Sequence, residues 1–251
     1  MKVLDLVLWA MGLVVILSAL YLVFVEKKMK VLDRVLWALG LVGILFALYL
    51  VFMWVPTADV REGIAQRIFY FHVPMAWISF LAFSLTFLGS IIYLVRGGKG
   101  WDHLAYSGAE IGVVFAFLNI ATGSIWARPA WGHWWVWDPR LTSMLVLWLI
   151  YVGYLLLRSY TPAHQAPRFA AVVGIAGFLD VPIVYFAIRM WRTLHPGPVI
   201  GTGGGLHPTM LTTFLFSLAA FTIFFILLAR LRVALRGAEA EIEELKEAWR
   251  E

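Results

Sequence analysis

Apolar and polar positions segregate along this chain on a long scale. Apolar runs of about 20 residues, the length a helix needs to cross a bilayer, alternate with short stretches that hold most of the charge. The runs predict spans at 34–54, 74–95, 106–126, 141–158, 168–189 and 209–230. The two-residue alternation of a β-barrel is absent. The pattern therefore predicts an all-α polytopic membrane protein with six core transmembrane helices. Residues 1–24 recur as 29–52, differing only at Leu6/Arg34, Met11/Leu39, Val15/Gly43 and Ser18/Phe46. No later segment continues a period, so the repeat is one local duplication. The first copy is apolar enough to insert and lacks a small-residue cleavage site, which makes it a candidate extra N-terminal helix rather than a cleaved signal. Three segments follow: 1–28, the duplicated segment; 29–235, a six-helix membrane domain; and 236–251, a cytoplasmic amphipathic tail with Ile242, Leu245 and Trp249 on one stripe.

Charge sets the orientation. One set of connections carries Lys27, Lys28, Lys30, Arg34, Arg96, Lys99, Arg158, Arg168 and the basic residues of the tail. The other carries Arg61, Arg67, Arg128, Arg140, Arg189 and Arg192. The richer set belongs in the cytoplasm, so the second faces the periplasm or its equivalent. The net charge of +5 is accounted for by these loops and the tail, and gives no reason to invoke nucleic acid. The absence of cysteine removes thiolate ligands, a Cys nucleophile and thioether-linked haem from this chain. Gly97-Gly98-Lys99 lacks the remainder of a phosphate-binding loop, so any ATP hydrolysis belongs to another subunit.

The outward connections hold the candidate chemistry. Residues 128–141 read RPAWGHWWVWDPRL, and the outward segment 126–141 contains Trp126, Trp131, Trp134, Trp135 and Trp137. Interfacial anchoring uses single tryptophans at helix ends, and that explains Trp9, Trp37, Trp54, Trp77, Trp148 and Trp191. Five in so short a loop instead suggest flat apolar faces with N–H groups at their edges, suited to a planar macrocycle or an aromatic headgroup. His72 and His195 stand in the outward loops 55–73 and 190–208, on either side of this segment in sequence. Imidazoles from two separated segments can hold an iron from opposite axial sides, with a porphyrin between them. His207 competes with His195, and spacing does not separate the two. His133 could bond the edge of the platform. Arg67, Arg128 and Arg140 suit the carboxylates of such a ligand; the alternative is lipid phosphate. Asp138 reads first as a helix cap, and otherwise as an anchor for Arg140 or an orienter of a ligating histidine. Asp180 lies mid-span, where charge is costly, with Asn119 as a candidate partner. The triple glycine 203–205 suggests a mobile piece of backbone.

With WGHWWVWDPRLTS at 131–143, QRIFYFHVPMAW at 66–77 and WRTLHPG at 191–197, the chain resembles the haem-handling proteins of cytochrome c maturation, specifically the short CcmC type with its WWD domain. The resemblance covers about residues 30–235, and the duplicated N-terminus lies outside it. It implies a protein, not an enzyme, of the cytoplasmic (inner) membrane that binds haem b at the outer face and presents it to a periplasmic haem chaperone. His72 and His195 are implied as axial iron ligands, with Arg67, Asp138 and Arg140 in haem binding or transfer. His207 matches no ligand position of the family. Further implied partners are the ATPase and membrane subunits of an ABC transporter and a small single-span membrane subunit. Three other functions are weighed against this one. A cytochrome c synthase component would need a docking surface for its apocytochrome. A transmembrane haem export channel subunit would need a polar path. A cytochrome b would carry its histidines within helices, whereas these are expected in loops.

Overall fold

The computed structural model describes residues 31–57, 63–197 and 206–249, and every regular element among them is helical. The first duplicated segment, 1–28, and the glycines at 203–205 lie outside the described residues. Helix α1 spans Val31–Tyr49 and closes with a single π turn, Leu50–Trp54. A 3-10 segment, Gly63–Ile68, leads into α2, Phe69–Arg96. Then come α3, Lys99–Trp131; α4, Pro139–Tyr160; α5, Ala166–Phe178; α6, Asp180–Met190; and α7, Pro208–Ala248. Six of the resulting helical segments are long and apolar enough to cross a membrane, matching the six core spans expected.

The helices run further than the apolar runs did. The second reaches back to Gly63, so His72 lies on a helix and not in a loop. The helix passes through Pro74, where the apolar run 74–95 begins. One ground for excluding a cytochrome b, that both histidines are in loops, therefore falls for His72. Helix α3 continues to Trp131, which reduces the tryptophan loop to 132–138. The fifth span is not one helix: it breaks at Leu179, between α5 and α6. The tail expected from 236 onward is continuous with the last span.

The chain divides into two compact units. In the first, which holds described residues 31–56 and 207–227, α1 packs on the opening turns of α7. A Cβ at Gly43 would stand 3.4 Å from the Cβ of Ala220, and the Phe46 and Phe216 rings meet edge to face at 5.2 Å. The second unit, which holds described residues 57, 63–197, 206 and 228–249, is built on α2 against α3. These two approach closely because Gly108 has no side chain: a Cβ there would lie 2.6 Å from the Ala82 carbonyl oxygen. Small residues at helix crossings serve this purpose in membranes. The core beside the crossing stacks Phe83 on Tyr151 at 3.8 Å, and the Tyr151 hydroxyl donates to the Gly174 carbonyl at 3.0 Å. At one end of this unit Arg158 grips Asp102 with both terminal nitrogens, one at 2.7 Å, and stacks over Tyr106. The candidate site occupies the other end.

Candidate functional site

Helices α2, α3, α4 and α6 and the segment after Met190 converge on a cavity open to the exterior. Its lining includes His72, Asn119, Trp126, Trp131, Trp135, Arg140 and His195. The three segments singled out in the sequence for their candidate chemistry thus meet in one place. Among the described residues there is no cluster of three or more metal-ligating side chains, so His72 and His195 are the pair to consider. Their ring centroids are 6.4 Å apart and their planes differ by 33°.

Each imidazole is held by its Nδ1. In His195, Nδ1 lies 2.9 Å from the Pro196 carbonyl oxygen. A carbonyl only accepts, so Nδ1 carries the proton and Nε2 keeps its lone pair. In His72, Nδ1 lies 3.1 Å from the Thr122 hydroxyl oxygen. That hydroxyl donates to the Leu118 carbonyl at 2.7 Å, which leaves its lone pairs toward the ring. Asn119 donates its amide N–H to the His72 carbonyl at 2.9 Å, and the same nitrogen stands 3.2 Å from Nδ1 and 3.4 Å from Nε2. The ring can lie this close to α3 because residue 123 is glycine: a Cβ there would be 2.9 Å from the His72 Cε1. Burial, reinforced by the Arg140 charge, pushes the His195 pKa down to about 4, so this imidazole is neutral near pH 7.

Asp138 ties two of the segments together. It caps α4, accepting from the Arg140 N–H at 2.9 Å, with Pro139 at the first helical position. Its carboxylate also accepts from the Thr193 hydroxyl at 2.6 and 2.7 Å and from the Leu194 N–H at 2.8 Å. Thr193 in turn accepts from the His195 N–H at 3.0 Å. Burial alone would raise the carboxyl pKa; the hydrogen bonds from Thr193, Leu194 and Arg140 more than offset it and hold it below the usual range. Capping and histidine orientation, which the sequence presented as alternatives, are both made by this side chain. It acts on the backbone of the His195 segment, and it does not line the cavity.

The tryptophans divide. Helix α3 ends where Gly132 takes a left-handed conformation, φ 80°, which the missing Cβ makes easy. Trp131, on the last turn, packs edge to face on Trp126 at 5.2 Å, and both face the cavity. Beyond Gly132 the chain is not helical. Trp135 turns in, whereas Trp134 is 60% and Trp137 76% exposed, and neither lines the cavity. Of the five tryptophans of this segment, Trp126, Trp131 and Trp135 line the cavity. Nor does every arginine reach the cavity. Arg140 does; Arg128 bonds the Gly132 carbonyl across the helix end; Arg67 sits in the 3-10 segment a turn ahead of His72. His133 is exposed, and His207 belongs to the first unit, bonded to Thr209 at 2.8 Å. Asn119 partners His72 and not Asp180, whose Oδ2 is buried with no hydrogen-bond partner among the described residues.

Thr122, Gly123 and Thr193 were not read from the sequence as site residues. A signal was present: Asn119, Thr122 and Gly123 share one face of an apolar helix at spacings of three and four.

Fold and site together define a six-span helical membrane protein with two imidazoles set across a tryptophan-lined cavity. Comparison with known proteins is specific. The family CcmC, described as heme exporter protein C, matches residues 7–248. The chain is 39% identical over 173 residues to heme exporter protein C of Bradyrhizobium diazoefficiens, covering 68% of this chain and 66% of that protein. It is 35% identical over 183 residues to a putative cytochrome c biosynthesis ccmC-like mitochondrial protein of Marchantia polymorpha, covering 71% and 78%. With heme exporter protein C of Escherichia coli K12 it shares 39% over 141 residues, 56% of this chain and 58% of that one. This chain belongs to the CcmC family.

Proposed function

We propose that this protein binds a cargo haem b at the outer face of the cytoplasmic membrane, between His72 and His195, and presents it to a periplasmic haem chaperone for cytochrome c maturation. The relatives' names carry the haem and the cytochrome pathway. The 6.4 Å between the two rings carries the residue assignment. Two imidazoles bound to one metal at about 2 Å on opposite sides put their centroids about 6 Å apart. A bare ion would need more donors than two histidines supply, whereas porphyrin iron brings its own in-plane nitrogens. The His195 Nδ1–H is committed to the Pro196 carbonyl, which leaves Nε2 as its ligating atom, and the shorter contacts of the His72 ring, to Thr122 and Asn119, fall on Nδ1, which supports Nε2 there too.

The remaining roles follow from the chain's own residues. Trp126, Trp131 and Trp135 bound the apolar volume and exclude water. Arg140, which has no ion-pair partner among the described residues, pairs with a propionate. Asp138 acts through Thr193 to hold His195 in place. Arg67, Arg128, Trp134 and Trp137, which do not line the cavity, would serve transfer of the cargo to a receiving protein. No bond is made or broken by a side chain of this protein, so it is a carrier and not an enzyme. Residues 29–235 form the haem-handling domain and 236–251 the cytoplasmic tail. An ABC-type ATPase with its membrane subunit and a small single-span subunit complete the proposed assembly.

The test is haem retention on purification. His72→Ala and His195→Ala should each lose most bound haem, and His207→Ala should keep it. Retention by the His72→Ala/His195→Ala double variant would refute the assignment. Loss in His207→Ala with retention in His195→Ala would transfer the role to His207.

A further inference from the structure

The last turns of α7 carry a face that the haem site does not use. One side of this stretch is held within its own unit: Arg232 by Glu110 at 2.6 and 2.9 Å, Arg236 over the Tyr106 ring at 4.0 Å, and Glu244 by Lys99. The opposite side carries Leu235, Ala238, Ile242, Leu245 and Trp249, all exposed. Their spacings are three, four, three and four residues, the a/d repeat of a coiled coil. Leu235, Ile242 and Trp249 take position a, and Ala238 and Leu245 take d.

Lipid does not cover this stripe. Helix α7 has 41 residues, about 62 Å at about 1.5 Å per residue, against about 30 Å of hydrocarbon. Its last turns therefore project beyond the membrane. Glu241, Glu243, Glu244 and Glu247 accompany the stripe, and anionic headgroups would repel them.

We infer that the stripe pairs with the same stripe of a second copy of this chain, as a short parallel two-stranded coiled coil. Two copies of one topology in one membrane present this helix in the same direction, so the pair is parallel. In a parallel pair, position g of one helix meets position e, five residues on, of its partner. Here g is Glu241 and e is Lys246, opposite charges that the two-fold axis brings together twice once Lys246 exchanges the exposed pair it makes with Glu243 of its own helix at 3.1 Å. The other flanking positions carry no clash: Ala234 and Ala248 are uncharged, and Glu239 is bound to Arg232 and Arg236 of its own chain. Glu243, Glu244 and Glu247 fall at b, c and f, away from the seam. Two heptads are too short to pair stably alone; confinement of both chains to one bilayer raises their effective concentration.

The chain has no cysteine, so cross-linking tests the pairing in the full-length protein in its own membrane. Under mild oxidation, Leu245→Cys should give a reductant-sensitive band at twice the chain's mass, and Glu247→Cys, on the outer face, should not. Glu241→Lys in the Leu245→Cys background should weaken that band, and adding Lys246→Glu should restore it. No dimer from Leu245→Cys, equal yields from the two cysteine variants, or an adduct with a different chain would each overturn the inference. Haem retention in Leu245→Cys should be unchanged, which separates this result from the fate of the haem assignment.

Discussion

Three donors converge on the Asp138 carboxylate, from two segments that are 55 residues apart in the chain. Asp138→Ala should cost about 1 kcal/mol as a lost helix cap and also release the 191–197 segment. Haem loading should then fall while the protein level in the membrane is kept, read as haem per protein after purification. Thr193 separates capping from positioning: Thr193→Val should lower loading with the α4 cap intact, and Thr193→Ser should restore it. At Gly123 the added methyl of Gly123→Ala meets the His72 ring, so loading should fall there too, with little change in folding. His195 gives a pH dependence in the haem-free protein. Its pKa of about 4 in the fold lies below about 6.5 in the unfolded chain. Between these values the unfolded chain binds the proton and the fold does not, so this group makes stability fall as pH drops from about 6.5 to about 4. A histidine-resolved NMR titration that placed His195 near 6.5 would contradict its burial. At this scale the sequence showed residue types and not partners. His72, His195, Asp138 and Arg140 were legible because their chemistry is rare in an apolar chain. Thr122 and Thr193 were not, since a threonine reads alike whether it bonds its own helix or a histidine from another segment.

Helix number was legible because hydrocarbon thickness imposes one apolar run per crossing. The ends were not, because a helix terminates where its backbone is capped and not where hydrophobicity falls. Gly132 and Asp138 set the two ends of the tryptophan loop, and this shortening decided which tryptophans face the cavity. The break at Leu179 was equally hidden, since the sequence on both sides of it is apolar. Packing between elements was hidden as well. Arg158 counts in the sequence only as a basic residue of a connection, yet its side chain and that of Asp102 are only 8% and 12% exposed and they clamp α4 to α3. Asp102→Ala should strand the Arg158 charge and cost about 3–5 kcal/mol, measured as a lowered unfolding temperature in detergent with haem affinity unchanged.

The whole molecule is a membrane bundle whose second unit brings together three segments far apart in sequence. Its proposed orientation follows from the basic residues of the connections: reporter fusions at residue 133 should report the outer face and fusions at residue 164 the cytoplasm. The central claim concerns one haem and two histidines, and the absorption spectrum of the purified full-length chain tests it most directly. A bound haem with a low-spin, six-coordinate, bis-imidazole spectrum, lost in the His72→Ala/His195→Ala variant, is the expected result. A high-spin five-coordinate spectrum, or the same low-spin spectrum in that double variant, would contradict it.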